Sequence, residues 1–424
     1  MNAPYRLKKS AASLVAALRA DPHAPFSAMV EIADRCNETC AHCYQIQGEK
    51  GELETDEWKS VFDELAQMGV LFLTISGGEA TLRKDFLELV AHARAKRFAV
   101  KLYTNGLTMT RELATSLAEL AVQEVQISLY SHRAEMHDWV TKVPGSWEKT
   151  VAGVRHLVEL GVAVVVKTPL MTINADAIDE YLAFVQSLGA HYSIDPNLDP
   201  REDGDRESQR LAVDEATKAR ALAHPLLARP RPAPGATREL ARSVCGACSG
   251  SVHIEADGEM RPCTLLGVAV GHAVRDGVRQ AWARNEQGAA IRQLTWADLH
   301  GCRDCDLQPY CSRCFANART EGGDALGPYE SACRRAAVRY ESAIGEPVRS
   351  TRAIGPFRLQ GTELVPVDDV ITELDRERAA QLEWARGPRS REPGDPVVPG
   401  QLVQLRRPGA RKARGESVPS GRGR

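Results

Sequence analysis

Cys36-Asn37-Glu38-Thr39-Cys40-Ala41-His42-Cys43-Tyr44 places three thiols at C-x3-C-x2-C spacing within one short stretch. Three thiolates can hold three corners of a 4Fe–4S cube and leave the fourth iron without a protein ligand. Ferredoxin-type clusters take four cysteines, so three imply an open iron that another molecule coordinates. Two blander readings stand beside this one. They are a three-cysteine zinc site completed by His42, and three unrelated core thiols. Zinc sites favour C-x2-C pairs, which weighs toward the cluster.

The stretch directly follows an apolar run, Ala28–Ala33, and similar runs recur at Leu71–Ile75, Val100–Tyr103, Val125–Leu129, Val162–Lys167 and Tyr192–Asp195. Short continuous apolar runs suit parallel strands covered on both faces. Amphipathic segments lie between them. Thr55 is a candidate N-cap for a helix carrying Trp58, Val61, Phe62, Leu65 and Met68, with Gly69 as its stop. Ser146 is a candidate cap for a second, with Val151, Val154, Leu157 and Val158 on its apolar side and Gly161 after it. Six successive βα steps predict an α/β fold, a partial (β/α)6 TIM-like barrel over residues 27–195. In such barrels the chemistry sits at the C-terminal strand ends, where the cysteine stretch falls. Ser76-Gly77-Gly78-Glu79, Tyr103-Thr104-Asn105-Gly106 and Ser128-Leu129-Tyr130 end the next three strands. Paired glycines at a strand end admit close approach to the backbone. Lys167 and Asp195 end the fifth and sixth strands and are weaker candidates.

The chain has 424 residues, a formal net charge of −2 and eleven cysteines. That balance excludes a nucleic-acid or polyanion partner at the whole-chain level. Lys8 and Lys9 precede Leu14-Val15-Ala16-Ala17-Leu18, but Arg19 and Asp21 end that run too early for a signal peptide or a membrane span. The expectation is a cytoplasmic protein without membrane attachment, whose cysteines are metal ligands or catalytic rather than disulfides. Residues 1–26 read as a lead-in and 196–243 as a linker, proline-rich from Pro225 to Pro234. Residues 244–340 form a small cysteine-rich domain holding the eight remaining cysteines. Residues 341–424 are expected to be largely disordered, apart from one charged helix over Val370–Trp384. The basic cluster Arg406, Arg407, Arg411, Lys412 and Arg414 reads as solvated. Glu255-Ala256-Asp257-Gly258 reads as a hairpin turn that sets Cys248 opposite Cys263. His253 and His272 read as structural.

Cys36, Cys40, Cys43, Gly77-Gly78-Glu79 and the βα order resemble the radical S-adenosylmethionine (SAM) superfamily over residues 27–195. The resemblance implies that SAM chelates the open iron through its amino and carboxylate groups. It implies a methionyl contact at Gly77, Gly78 and Glu79, a carboxylate contact at Ser128, an aromatic beside the adenine at Tyr44, and a further SAM-site position at Asn105. Two departures stand out. Ala80 replaces the usual proline, and Trp139, Val140 and Thr141 follow His137-Asp138 where an arginine is common. The later cysteines resemble the SPASM extension of radical SAM peptide maturases, which holds two auxiliary 4Fe–4S clusters. By that resemblance Cys245, Cys248, Cys263 and Cys314 ligate one, and Cys302, Cys305, Cys311 and Cys333 the other. Sets of three, four and four account for every cysteine. Two four-cysteine zinc sites are a competing reading that the C-x2-C pairs permit.

The implied activity is a 5′-deoxyadenosyl radical that oxidises or cross-links residues of a ribosomally made precursor peptide. Ser128 to Ser131, His137-Asp138 and Pro144 to Ser146 are similar to such maturases. The implied partners are the precursor peptide and a flavodoxin- or ferredoxin-type electron donor; with under thirty residues before the first strand, peptide recognition is expected from the second domain, from residues 341–424 or from a separate peptide-recognition protein. A sulfatase-maturing enzyme is disfavoured because Thr264 follows Cys263 where that subclass has a catalytic aspartate. A cofactor-pathway radical enzyme of the haem or quinone type also fits the cysteine pattern. A zinc-binding protein with no catalytic activity fits it too.

Overall fold

In a computed structural model, six strands follow one another in space in the order they follow in sequence. They are β1 (Ser27–Ala33), β2 (Phe72–Gly77), β3 (Ala99–Thr104), β4 (Glu124–Ser128), β5 (Val164–Pro169) and β6 (His191–Asp195), all parallel. The structure describes residues 25–201, 205–222, 224–227, 237, 240–346 and 348, and the backbone of 353–354, 357–360 and 363–366. The expected lead-in helix, most of the proline-rich linker, the Val370–Trp384 helix and the basic cluster lie outside those residues.

Helices α1 (Thr55–Gln67), α2 (Phe86–Ala95), α3 (Arg111–Glu119), α4 (Ala134–Thr141), α5 (Ser146–Glu159) and α6 (Ile178–Ser187) fall in the crossovers. Their apolar faces bury Trp58, Phe62, Leu65, Leu89, Leu117, Val154 and Leu157 against Leu73, Ile75, Val100, Leu102, Val125, Ile127, Val164 and Val166. Two helix starts differ from the sequence reading. Glu54 rather than Thr55 caps α1, its backbone N–H donating to Glu57 Oε2 at 2.8 Å. Gly145 caps α5, which frees the Ser146 hydroxyl to donate to Asp138.

The strands are not apolar on both faces. Side chains alternate across a strand, and the face opposite the helices carries Thr74, Ser76, Lys101, Tyr103, Glu124, Gln126, Ser128 and Lys167. Lys101 pairs with Glu124 at 3.2 Å, and Lys167 Nζ sits 4.2 Å over the Tyr103 ring. A stack of aliphatic layers would fill this face; polar and charged groups line it instead.

The sheet continues past β1 into the cysteine-rich region. Strand β7 (Ser251–Ile254) pairs parallel to β1, and β8 (Glu259–Arg261) and β9 (Gly271–His272) follow antiparallel. Nine strands thus form one sheet with β6 and β9 at its edges. The expected 255–258 turn is present, with Gly258 at φ +92° and its N–H on Glu255 O at 2.9 Å. Helix α7 (Glu215–Leu222) lies in the linker. Helices α8 (Val278–Arg284), α9 (Glu286–Gln293), α10 (Phe315–Gly322) and α11 (Glu330–Ile344) complete the second region, and Ala353–Ile354, Phe357–Gln360 and Glu363–Pro366 form a small antiparallel sheet. Among the described residues no helix is long and apolar enough to cross a membrane.

Candidate iron–sulfur and SAM site

The cysteine loop is fixed from three directions, two of them through backbone hydrogen bonds. Gly78 N donates to Ala33 O at 2.8 Å and Glu79 N to Arg35 O at 2.9 Å, so pairing between β1 and β2 runs on into the loop. Thr39 N and Ala41 N donate to Thr141 O and Val140 O at the end of α4, at 3.3 and 2.8 Å. Asn105 Nδ2 donates to Asn37 Oδ1 at 2.7 Å.

The two glycines are required here for a reason the sequence does not display. A Cβ on Gly77 would stand 2.3 Å from Ala33 O, and one on Gly78 2.5 Å from Arg35 O. Gly77 also has φ +136°, a region L-residues avoid. The close approach is made by the cysteine loop's own backbone.

Glu79 is buried and saturated. Its Oε1 accepts from Thr81 N (3.1 Å), Thr81 Oγ1 (2.5 Å) and Thr104 Oγ1 (2.8 Å), and its Oε2 from Asn105 N (2.7 Å). Burial raises its pKa, and these four donors oppose that rise. Asn105, buried beside it, turns its Oδ1 to Leu107 N at 3.0 Å. Tyr44 is half-buried at the end of the loop.

Ser128, at the end of β4, shares a hydrogen bond with Tyr130, whose hydroxyl lies 3.7 Å from Cys40 Sγ. The Tyr130 ring stacks on His137 (5.3 Å) and meets His42 edge-on (4.6 Å). Glu38 is buried, with Oε2 3.2 Å from Cys40 Sγ and Oε1 without a hydrogen-bond partner. Burial pushes its carboxyl up to about 7. Nothing in the sequence marks Glu38 as a site residue, and Tyr130 and His137 enter the sequence reading only within longer stretches, without a role beside Cys40. Their types are ordinary in a core, and only the fold sets them around Cys40.

All eleven cysteines are free thiols. Several of them raise one another's pKa. Cys43 raises the pKa of both Cys36 and Cys40. Cys245, Cys248 and Cys314 each feel Cys263. Cys302, Cys305 and Cys333 each feel Cys311. Burial is the leading cause of each rise, taking Cys36 and Cys305 to about 11 and Cys248 and Cys302 to about 12. Thiols this buried become thiolates only beside a strong cationic centre such as a metal. Arg313, between Cys311 and Cys314, exerts its charge on both Cys245 and Cys302. Its Nη2 donates to Ala325 O and Gly327 O at 2.7 and 2.6 Å, while Nε and Nη1 are buried without partners. Two unspent donors between two thiol groups suit a pair of anionic clusters.

Residues 30–185 match the radical SAM superfamily, and residues 245–314 match the iron-sulfur cluster-binding domain SPASM. The chain carries a radical SAM domain followed by a SPASM domain. A radical SAM domain works with SAM and a 4Fe–4S cluster, and its match here spans the cysteine loop and all of β2 to β5. The SPASM match stops short of Cys333, which the fold nevertheless returns to Cys302, Cys305 and Cys311.

The mycofactocin maturase MftC of Mycobacterium tuberculosis is 37% identical over 174 residues, 40% of this chain and 44% of that protein. The chain thus matches less than half the length of that relative. The AdoMet-dependent heme synthase of Methanosarcina barkeri is 26% identical over 325 residues, 70% of this chain and 93% of that protein. Among solved structures, Streptococcus suis SuiB bound to the precursor peptide SuiA aligns with a TM-score of 0.55 at 16% identity, over 77% of this chain and 80% of SuiB. At that identity the likeness establishes the shared fold.

Proposed function

We propose that the chain is a radical SAM enzyme that oxidises or cross-links residues of a ribosomally made peptide. The observation that supports this reading is that eleven buried or half-buried free thiols influence one another in sets around Cys43, Cys263 and Cys311. In it Cys36, Cys40 and Cys43 ligate the cluster whose open iron takes SAM. Cys245, Cys248, Cys263 and Cys314 ligate one auxiliary cluster, and Cys302, Cys305, Cys311 and Cys333 the other.

SAM on the open iron supplies hydrogen-atom abstraction; the chain's residues supply position and exclusion of water. Gly77 and Gly78 hold the cysteine loop against β2. Glu79 fixes the ends of β2 and β3, so that Asn105 orients Asn37 and the loop. Ser128 and Tyr130 present hydroxyls to the methionyl end and to Cys40, and Tyr44 lies on the adenine side. The polar face with Lys101, Tyr103 and Lys167 receives the substrate. The electron comes from a flavodoxin- or ferredoxin-type donor, and peptide recognition falls to the second domain, to residues 341–424 or to a separate recognition protein.

The similarity to a mycofactocin maturase, at the higher identity, supports a peptide. A haem precursor is the second reading, favoured by the longer alignment with the heme synthase. Anaerobic turnover with SAM and dithionite against deuterated peptides and against a deuterated porphyrin separates them. Deuterium in 5′-deoxyadenosine from the peptide supports the proposal; deuterium from the porphyrin alone overturns it.

A further inference from the structure

Arg313 sits inside Cys311-Ser312-Arg313-Cys314, with a thiol of the Cys311 set on one side and one of the Cys263 set on the other. Cys314 opens α10 and packs, with Cys245 and Cys263, on the main core. Cys311 touches that core too, but it also packs with Cys305 against Leu307 and Cys333. The side chain between them is withdrawn from solvent, since Arg313 is only 7% exposed.

Part of its guanidinium is accounted for. Nη2 donates to Ala325 O and Gly327 O at 2.7 and 2.6 Å, which pins the group to the segment between α10 and α11. Nε and Nη1 are buried without hydrogen-bond partners. Arginine stays charged and presents its N–H donors in a rigid planar fork. The donors on Nε and Nη1 are therefore unspent, and leaving buried donors unmade is costly. Asp324 is a carboxylate that feels the Arg313 charge. Its oxygens are turned elsewhere, to Leu326 N at 2.8 Å and to His300 Nε2 at 3.3 Å. The charge of Arg313 thus has an anion near it, while its free N–H groups have no acceptor. That charge reaches thiols of both sets, favouring the thiolates of Cys245 and Cys302.

We propose that Arg313 is shared by the two auxiliary clusters: its unspent N–H groups serve sulfurs of both, and its charge raises both reduction potentials. The inference rests on the three-cluster reading given above. An added electron makes a cluster more negative, and a nearby cation and donated hydrogen bonds favour that state.

The test is spectroelectrochemistry of the anaerobically reconstituted full chain, read by EPR. The SAM-site cluster is recognised by the change in its signal when SAM is added. Arg313→Gln should bind the wild-type amount of iron. Both auxiliary clusters should become harder to reduce by about tenfold or more, which is about 59 mV each for one electron. The SAM-site cluster should keep its potential. Arg313→Lys, which keeps the charge but not the fork, should shift both auxiliary potentials in the same direction by less. Should Arg313→Gln lose iron, Arg313→Lys decides alone. Unmoved auxiliary potentials, a shift at only one of them, an equal shift in all three, or loss of iron from both variants overturns the proposal. Fewer than about twelve irons in the wild-type chain overturns the three-cluster reading itself. Full iron with unmoved potentials overturns only the role of Arg313.

Discussion

The hydroxyl of Tyr130 lies 3.7 Å from the sulfur of Cys40, although ninety positions separate them in sequence. A ring stack on His137 and a hydrogen bond from Tyr130 N to His137 Nδ1 at 3.1 Å hold it there. Hydrogen bonds to cluster sulfurs are one determinant of iron–sulfur potential. Tyr130→Phe should lower the potential of the SAM-site cluster, because a donor favours the more negative, reduced state. A bond worth about 1 kcal/mol more to that state corresponds to about 40 mV for one electron. Spectroelectrochemistry checks this, and an unchanged potential would show that the phenol does not donate to the cluster.

Gly77→Ala should cost the chain its first cluster while sparing the other two. The new Cβ meets the backbone oxygen of Ala33 rather than a movable side chain, and positive φ adds about 1–3 kcal/mol of strain. The variant should lose about four irons per chain, one cube's worth, and bind no SAM. Full iron content with normal SAM binding would contradict the packing account.

The thiol grouping predicts a non-additive pattern. Cys302→Ala with Cys333→Ala should lose about four irons, the same as either alone, because both changes strike one cube. Cys302→Ala with Cys248→Ala should lose about eight. Iron and sulfide analysis after anaerobic reconstitution distinguishes the patterns, and equal losses from the two pairs would break the assignment.

His137 is buried, and burial lowers its pKa to about 4 from an unfolded value of about 6.5. The unfolded chain therefore binds a proton that the folded chain refuses. Stability present above about pH 6.5 is lost as pH falls toward the folded value of about 4. The loss approaches about 1.4 kcal/mol per pH unit for this one group. His137→Gln, whose amide oxygen can still accept from Tyr130 N, should flatten the fall in unfolding free energy between pH 7 and pH 5 by about 2 kcal/mol. Parallel slopes in the two proteins would exclude His137 as the titrating group.

The fold's six strands and the thiol inventory are legible in the sequence because each rests on a local signal. Apolar runs with helical segments between them give the strand order, and cysteine spacing marks the ligand stretches. Less legible is the role of Gly77 and Gly78, since a bare Gly-Gly does not reveal whether a ligand or another part of the chain comes close. The joining of β7 to β1 is hidden because strand neighbours far apart in sequence leave no mark on either strand. The polar face opposite the helices is hidden because Val100–Tyr103 and Val162–Lys167 read as continuous apolar runs, when Lys101, Tyr103 and Lys167 in fact share that side. Glu38 carries no spacing signal at all.

The most direct test of the central claim is metal and sulfide content after anaerobic reconstitution, with 5′-deoxyadenosine assayed under SAM and dithionite. The account predicts about twelve irons and twelve sulfides per chain, from three cubes, with 5′-deoxyadenosine formed. Zinc bound in place of iron, with no 5′-deoxyadenosine, would contradict it from Cys36 onward.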